Sequence, residues 1–441
     1  MTYRQLFDGR HLDKAKLLKV DTCFVPWVRN MAEIILSSDQ AEAYSTIAQW
    51  FANGGCVTPK QKNPHLLTFA GFAGCGKSTC ISLLAKEFGT AIRFAFCALS
   101  GKAASVLGKL LQDQGIKFGE DNHYCGTIHS LIYQPLENDK GEVIYWIKKD
   151  LLDCDIIVID EASMISQDIF NDLCSYGKDI LAVGDHGQLP PIEGNFSLMK
   201  DPDIKLEKIH RQAEDNPIIN LSMQIREHGQ IPQGYKSNEK VSVISKPSYI
   251  NLLQNSFQGN KSPKELLDTA VLCYKNATRN NLNTIIRKVI FGAFSPVPLT
   301  NDLVICLRNN KNKKIPLYNG YRGYTAEVTR EEGDFYCSRI KFPYEGITTH
   351  EIDMCRYQFG FPKTFSSFDE LEKFGMQIVH WSEAGYLFDY GYALTVHKSQ
   401  GSQFNNVILF NERPAPVSAD NYKRWIYTAA TRASDKLTIV L

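Results

Sequence analysis

The sequence predicts an α/β protein whose first half is a doubly wound parallel sheet. Four apolar runs bounded by turn residues, HLLTFAG, IRFAFCAL, DIIVIDE and DILAVGD, carry that reading. Runs so continuously apolar suit strands covered on both faces. Helical patterns fall between them, KSTCISLLAKEF after the first and KAASVLGKLLQ after the second, which is β-α-β alternation. The composition agrees: 441 residues with 44% apolar and 22% charged side chains form a globular chain. At roughly 100 to 200 residues per domain this is two to four domains, each with a sizeable core.

Charge and cysteine usage exclude several classes. Lys and Arg number 49 against 48 Asp and Glu, a net +1, so any polyanion site is local rather than the work of a global field. The twelve cysteines, Cys23 through Cys355, are scattered singly without zinc-ligand spacing and read as small buried apolar residues. No run approaches the ~18 apolar residues of a membrane span. The opening MTYRQLFDGRHLDK lacks the apolar core of a signal peptide, so the expectation is a cytoplasmic protein with no membrane partner.

The strongest local signal is GFAGCGKST between strand HLLTFA and helix STCISLLAKEF, which fits G-x-x-x-x-G-K-[ST]. In that context Gly71, Phe72, Ala73, Gly74, Cys75, Gly76, Lys77, Ser78 and Thr79 form a phosphate cradle. Glycines let successive N–H groups face a polyphosphate, the helix N-terminus adds its positive end, Lys77 neutralises β/γ oxygens and Ser78 ligates Mg²⁺. Downstream, DIIVIDEAS ends in Asp160 and Glu161 at the edge where such sheets bind ligands. A carboxylate there holds the same Mg²⁺ and its neighbour takes a proton from water, although an acidic pair after a strand is by itself more often a helix cap. DILAVGD runs into HGQLPPI, placing Asp185 and Gln188 on a loop stiffened by Pro190 and Pro191. Gln188 there suits orienting water beside a γ-phosphate, although a polar loop residue by itself more often meets only solvent.

Read in order, the motifs resemble superfamily 1 DNA helicases of the RecD and Dda type, the 5′ to 3′ branch. GFAGCGKST is similar to motif I, ALSGKAA to Ia, GTIHSL to Ib, DEAS to II and GDHGQLPPI to III. LEKIHRQ resembles motif IV, YALTVHKSQGSQF motif V and WIYTAATRA motif VI, so the matches span nearly the whole chain. The resemblance implies two RecA-like P-loop motor domains, parallel sheets flanked by helices, with ATP and Mg²⁺ in the cleft between them. By that likeness Gln40 reads adenine, Gly401 touches the nucleotide, and Arg211 and Arg432 reach the γ-phosphate as arginine fingers, a role that suits a forked, permanently charged guanidinium. Lys77, Glu161, Gln188, Arg211 and Arg432 are then the catalytic set.

The same resemblance implies single-stranded DNA across both motor domains, gripped by phosphate and stacking contacts. Ser100, Lys102, Thr127 and His129 would contact it in the first domain, and Asn276, Thr395, His397 and Lys398 in the second; both histidines also fit structural, hydrogen-bonded roles. Two insertions stand out. LIYQPLENDKGEVIYWIKK alternates around a turn at Asn138–Gly141, a hairpin in the place of the family's duplex-splitting pin, with Tyr145 and Trp146 able to stack on a base pair or on their own hairpin. Short β-rich runs from 296 onward match the family's small β-barrel, and DMCRYQFGFPKTFSSFDELEKFG breaks that pattern as a helical embellishment.

The division that follows is an N-terminal arm 1–31, a first motor domain 32–192 with the pin at 132–149, a second motor domain 193–295 and 389–441, and a barrel insertion 296–388. The function that follows is an ATP-dependent DNA helicase acting on single-stranded and forked DNA, working as a monomer beside replication or recombination proteins in a bacterial or phage-infected cell. A nucleic-acid-binding module with relic motor motifs is one alternative, opposed by the complete set of charged motif residues. An RNA-directed motor of the same superfamily is another, since phosphate and stacking contacts are largely indifferent to the sugar. Gln403 stands where many relatives carry Glu, and Cys75, where Thr is commoner, places a thiol open to oxidation near phosphate.

Overall fold

The computed structural model describes residues 36–89, 91–119, 123–137, 143–190, 196–207, 216–232, 235–237, 239–259, 261–309, 317–377, 383–413 and 417–441. The arm 1–31, the hairpin turn at 138–142 and Arg211 lie outside these residues, as do the side chains of Lys102, Tyr145 and Trp146.

The first unit runs α1 (Ser38–Asn53), β1 (Leu66–Gly71), α2 (Lys77–Phe88), β2 (Phe94–Ala98), α3 (Gly101–Asp113), β3 (Tyr124–Thr127) and α4 (Ile128–Ile132). It continues through the antiparallel pair β4 (Tyr133–Glu137) and β5 (Val143–Lys148) to β6 (Ile156–Asp160), α5 (Gln167–Cys174), β7 (Asp179–Gly184) and β8 (Ile204–Leu206). Six of these strands form a parallel sheet in the order β3-β2-β6-β7-β1-β8. Successive strand residues feed opposite cores. Leu67, Phe69, Phe94 and Phe96 pack with Trp50, Phe51 and Leu84 on one face. Ala70, Ala95, Cys97 and Ile159 pack with Ile128 and Leu173 on the other.

This sheet runs past the boundary expected at 192, because β8 pairs with β1. Asp203 fastens it, its carboxylate accepting the Thr68 N–H at 2.8 Å and the Thr68 hydroxyl at 2.6 Å. A three-residue strand leaves no periodic trace in a sequence.

The second unit comprises α6 (Pro217–His228), β9 (Lys236–Ser237), β10 (Val241–Ile244), α7 (Tyr249–Phe257), α8 (Pro263–Leu267), β11 (Thr269–Cys273) and α9 (Asn276–Phe291). An antiparallel six-stranded sheet then intervenes: β12 (Leu303–Cys306), β13 (Arg322–Thr325), β14 (Arg330–Glu332), β15 (Phe335–Phe342), β16 (Ile347–Cys355) and β17 (Phe388–Tyr390). Its edges meet where Cys355 N–H donates to Tyr386 O at 2.9 Å and Tyr386 N–H to Asp353 O at 2.7 Å. Val304, Tyr336, Phe342, Met354 and Phe388 fill its interior. Arg322 ties it down, giving Nε to Gly391 O, Nη1 to Leu267 O and Nη2 to Thr269 O at 2.9 to 3.1 Å.

Between β16 and β17 the segment expected to embellish the insertion includes, among its described residues, the short α-helix α10 (Phe368–Glu372). Phe365, Leu371, Met376 and Ala384 enter the core of the second unit beside Leu221 and Trp425, so in packing terms the segment belongs there. The chain returns through β18 (Ala393–Thr395), α11 (Val396–Ser399), β19 (Phe404–Phe410), α12 (Ala419–Ala430) and β20 (Ala433–Val440). The second sheet is ordered β18-β11-β19-β20-β10-β9, parallel except at β9. Among the described residues no helix is long and apolar enough to cross a membrane.

Candidate nucleotide site and nucleic-acid track

The P-loop leaves β1 at Gly71 and delivers the chain to α2 through Gly74 at φ 79° and Gly76 at φ 90°. Only glycine adopts these left-handed angles without cost. Gly76 is demanded twice, since a Cβ there would lie 2.1 Å from Gln40 Nε2. No side chain caps α2 at Gly76, so its first N–H groups stay available to an anion. Lys77 folds across the loop, donating to Gly71 O at 2.7 Å and Phe72 O at 2.9 Å.

Gln40 sits against this loop, but its amide is committed within the protein. Nε2 donates to Cys75 O at 2.8 Å, while Oε1 accepts Ser37 N–H at 3.1 Å in the capping box of α1. Cys75 is 1% exposed and burial pushes its thiol up, so the expected oxidation sensitivity is corrected: a protonated, enclosed thiol is a poor nucleophile. The Phe72 ring has the Arg226 guanidinium 3.5 Å above its centre and the His186 ring 4.2 Å from it.

Asp160 ends β6 and Glu161 follows at φ 53°, a left-handed conformation uncommon outside glycine and typical of functional turns. Asp160 Oδ1 accepts the Glu161 N–H at 3.0 Å. Burial pushes both carboxyls above their ordinary range, opposed chiefly by Lys77 at Asp160 and by Arg432 at Glu161. Gln188 lies between the two units. With its nitrogen toward Glu161 Oε2 at 3.2 Å and its oxygen toward Arg432 Nη2 at 3.1 Å, the amide satisfies both neighbours. Arg432 Nη1 stands 3.9 Å from Glu161 Oε1 and the residue is 6% exposed, its side chain held by Thr428 O and Ser402 O.

Arg432 follows α12, one face of which makes further contacts across the cleft. Arg424 Nη1 donates to His186 O at 2.8 Å and Gln188 O at 3.3 Å, and Thr428 Oγ1 accepts the Leu189 N–H at 3.0 Å. Tyr427 accepts the Ala73 N–H and donates to Asp185. Positions 424, 427, 428, 431 and 432 recur at helical spacing and form one stripe. Sequence reading found Arg432 but missed Arg424, Tyr427 and Thr428, although this periodicity was visible in RWIYTAATR.

A cavity of about 730 Å³ opens between the units. Ala73, Gly74, Lys77, Ser78, Asp160, Glu161, Asp185, Gln188, Gly401, Gln403 and Arg432 line it, whereas Gln40, Gly71, Phe72, Cys75, Gly76 and Thr79 do not. Ser78 and Asp160 offer hard oxygen donors on its wall, the chemistry Mg²⁺ requires when phosphate and water complete the shell. Among the described residues no group of three or more His, Cys, Asp or Glu that could hold a metal gathers, in this cavity or outside it.

The candidate DNA contacts occupy the C-terminal edges of strands in both sheets. Ser100 follows β2 and caps α3, Thr127 ends β3 and caps α4, and Thr395 ends β18 and caps α11. Each hydroxyl oxygen accepts a helix N–H, which leaves its own hydrogen to donate. Thr127 is the least accessible, 5% exposed and paired with the Ser130 hydroxyl at 2.6 Å. Asn276 opens α9 and is exposed. His129 lies 5.6 Å from the Tyr133 ring and His397 lies edge-on 6.0 Å from Tyr274. Burial lowers His397 and, with help from Arg279, brings Lys398 down to about 8. Gly401, at φ 71°, lets α11's end press on α3, where a Cβ would come 2.9 Å from that of Ala103.

A family model described as an AAA domain matches residues 60–246, and one described as a UvrD-like helicase C-terminal domain matches residues 390–440. The chain is 24% identical over 389 residues to the ATP-dependent RecD2 DNA helicase of Deinococcus radiodurans, covering 84% of this chain but 46% of that one. It is 24% identical over 386 residues to the ATP-dependent DNA helicase Pif1 of Campylobacter jejuni, covering 77% and 81%. A third relative, the ATP-dependent DNA helicase dda of Enterobacteria phage T4, is 27% identical over 252 residues, 53% of this chain and 54% of that one. In fold, the crystal structure of Pif1 helicase from Bacteroides in complex with ADP-AlF3 and ssDNA superposes with a TM-score of 0.52 at 18% identity over 92% of each chain. Two parallel sheets facing one P-loop, with the AAA model running from the first unit into the second and the UvrD-like C-terminal model on the end of the second, place the chain among the superfamily 1 helicases of the RecD, Pif1 and Dda type.

Proposed function

We propose that this chain is an ATP-dependent DNA helicase that moves 5′ to 3′ along single-stranded DNA and separates forked duplex. The observation that carries the reading is the Glu161–Gln188–Arg432 set, assembled from both units against the P-loop. The names of the relatives support ATP and DNA as its substrates.

In this mechanism Lys77 exchanges its two loop carbonyls for the β/γ oxygens of ATP, to which the free N–H groups of α2 also donate. Mg²⁺, held by Ser78 and Asp160, would neutralise phosphate charge. Glu161, its carboxyl raised by burial, accepts the proton of the attacking water while Gln188 orients that water. Arg432, joined by Arg211, neutralises charge on the transferring phosphoryl group. Closure of the units excludes water, and reopening after hydrolysis resets the grip on DNA. For adenine to be read by Gln40, its amide must exchange Cys75 O for the base edge.

DNA follows the line from Ser100 and Thr127 to Asn276, Thr395, His397 and Lys398, and the β4–β5 hairpin meets the duplex. Because Lys398 is brought down to about 8, its charge disappears as pH rises through that value. Affinity for oligo-dT is therefore expected to fall between about pH 7 and pH 9 and to fall less in Lys398→Arg, whose guanidinium stays protonated. Equal pH profiles for the two proteins would remove Lys398 from the track.

The direct test is strand displacement on forks with a single 5′ or 3′ tail. The 5′-tailed fork should be unwound with ATP and Mg²⁺ and the 3′-tailed fork left intact. Unwinding of the 3′-tailed fork alone overturns the polarity, and displacement of neither overturns the helicase reading.

A further inference from the structure

Tyr427 differs from its neighbours on α12 in touching the phosphate cradle itself while carrying no charge. It is 1% exposed. Its hydroxyl accepts the Ala73 N–H at 3.3 Å and donates to Asp185 Oδ2 at 2.8 Å, while Asp185 Oδ1 accepts the Gly187 N–H at 2.8 Å. A Cβ at Gly187 would lie 2.9 Å from the tyrosine ring, so the loop is built to let that ring pass. Burial holds the phenol well above its usual range, which keeps the hydroxyl protonated and able to do both jobs.

Two of these bonds are unequal in a way that matters. The hydroxyl's bond to Asp185 is charge-assisted, whereas the one from Ala73 is neutral and slightly beyond the usual 2.7 to 3.2 Å range. A phosphate oxygen is a charged acceptor, and a charge-assisted bond is roughly twice as strong as a neutral one. Nucleotide therefore competes with Tyr427 for the Ala73 N–H. What the tyrosine loses on one side is felt by α12, because its other anchor, Asp185, belongs to the same first unit.

From α12 a packed path leads to the DNA track. Trp425, two residues before Tyr427, lies 5.6 Å from the Tyr274 ring, and Tyr274 lies edge-on 6.0 Å from His397. Trp425 is fully buried, so a shift of α12 cannot be absorbed by solvent and must be passed on.

We propose that Tyr427 is a positioning residue that transmits the nucleotide state of the P-loop, through α12, Trp425 and Tyr274, to the strand held near His397. The inference rests on the motor reading above and adds to it the residue that links the two ligands. Such a link is a coupling free energy and shows as a change in one ligand's affinity when the other is bound, typically 5- to 150-fold.

The experiment measures the affinity of the full chain for fluorescent oligo-dT with and without a non-hydrolysable ATP analogue and Mg²⁺. Wild type should show a change of about tenfold. Tyr427→Phe, which keeps the ring and removes the hydroxyl, should reduce that change to about twofold or less, with an unfolding temperature close to wild type. Asp185→Asn, which weakens the hydroxyl's charged anchor, gives a second reading if the first variant folds poorly, and should also reduce the change. A full nucleotide-dependent shift in either folded variant overturns the proposal. Absence of any shift in wild type overturns it too, and DNA-stimulated ATP hydrolysis on that same sample then shows whether the motor reading itself survives.

Discussion

Arg432→Ala is expected to lower DNA-stimulated turnover of ATP by about 10³-fold, the lower end of what an arginine finger contributes. The side chain reaches into the cavity from the second unit, lies 3.9 Å from Glu161 and meets Gln188 Oε1 at 3.1 Å. Alanine removes a charge that cannot be replaced by solvent at 6% exposure. Arg432→Lys should recover only a small part of the loss, because a point charge cannot serve Thr428 O, Ser402 O and Gln188 together as the planar fork does. Stopped-flow phosphate release with saturating oligo-dT reads the effect. A variant within about a factor of ten of wild type would mean that Arg432 is a structural cation.

Glu161→Gln should be comparably severe, about 10³ in kcat, within the range a general base supplies, with ATP affinity retained. Lys77, Ser78 and the P-loop amides are untouched by the change, so binding is preserved. Folding should be preserved as well: burial already opposes the charge on Glu161, and an amide of the same shape fits the left-handed turn at φ 53°. Equilibrium binding of a fluorescent ATP analogue beside single-turnover hydrolysis separates the two effects. Loss of binding together with turnover would assign Glu161 to the cradle instead of to proton transfer.

The strands that carry the nucleotide site could be read from sequence because each is covered on both faces and ends in a polar motif. HLLTFAG, DIIVIDE and DILAVGD are such runs, and their ends place Lys77, Asp160, Glu161 and Gln188 on one cavity. Glu161's backbone strain was not readable, since a left-handed residue outside glycine has no compositional mark. Arg424, Tyr427 and Thr428 were passed over because polar residues on a helix are usually solvated, and only the opposing loop at His186 to Leu189 makes them interfacial. Strand β8 was invisible at three residues. The aromatic-rich segment after β16 shows no period of 2 or 3.6, so its burial in the second unit's core depends on tertiary packing of Phe365, Leu371 and Met376 beside Leu221 and Trp425. Gln40 was read by its likeness to an adenine contact, whereas the structure shows what the amide does without a base: it holds Cys75 O and closes the space beside Gly76.

The account stands on residues of two units acting as one hydrolytic centre, and a double-mutant cycle of Glu161→Gln and Arg432→Ala in DNA-stimulated turnover addresses that claim most directly. Residues that act as a unit are strongly non-additive, so the double variant should lose about as much rate as the worse single variant. Losses that multiply, giving about 10⁶ for the pair, would show that the two side chains act independently and that the units do not close around a shared nucleotide.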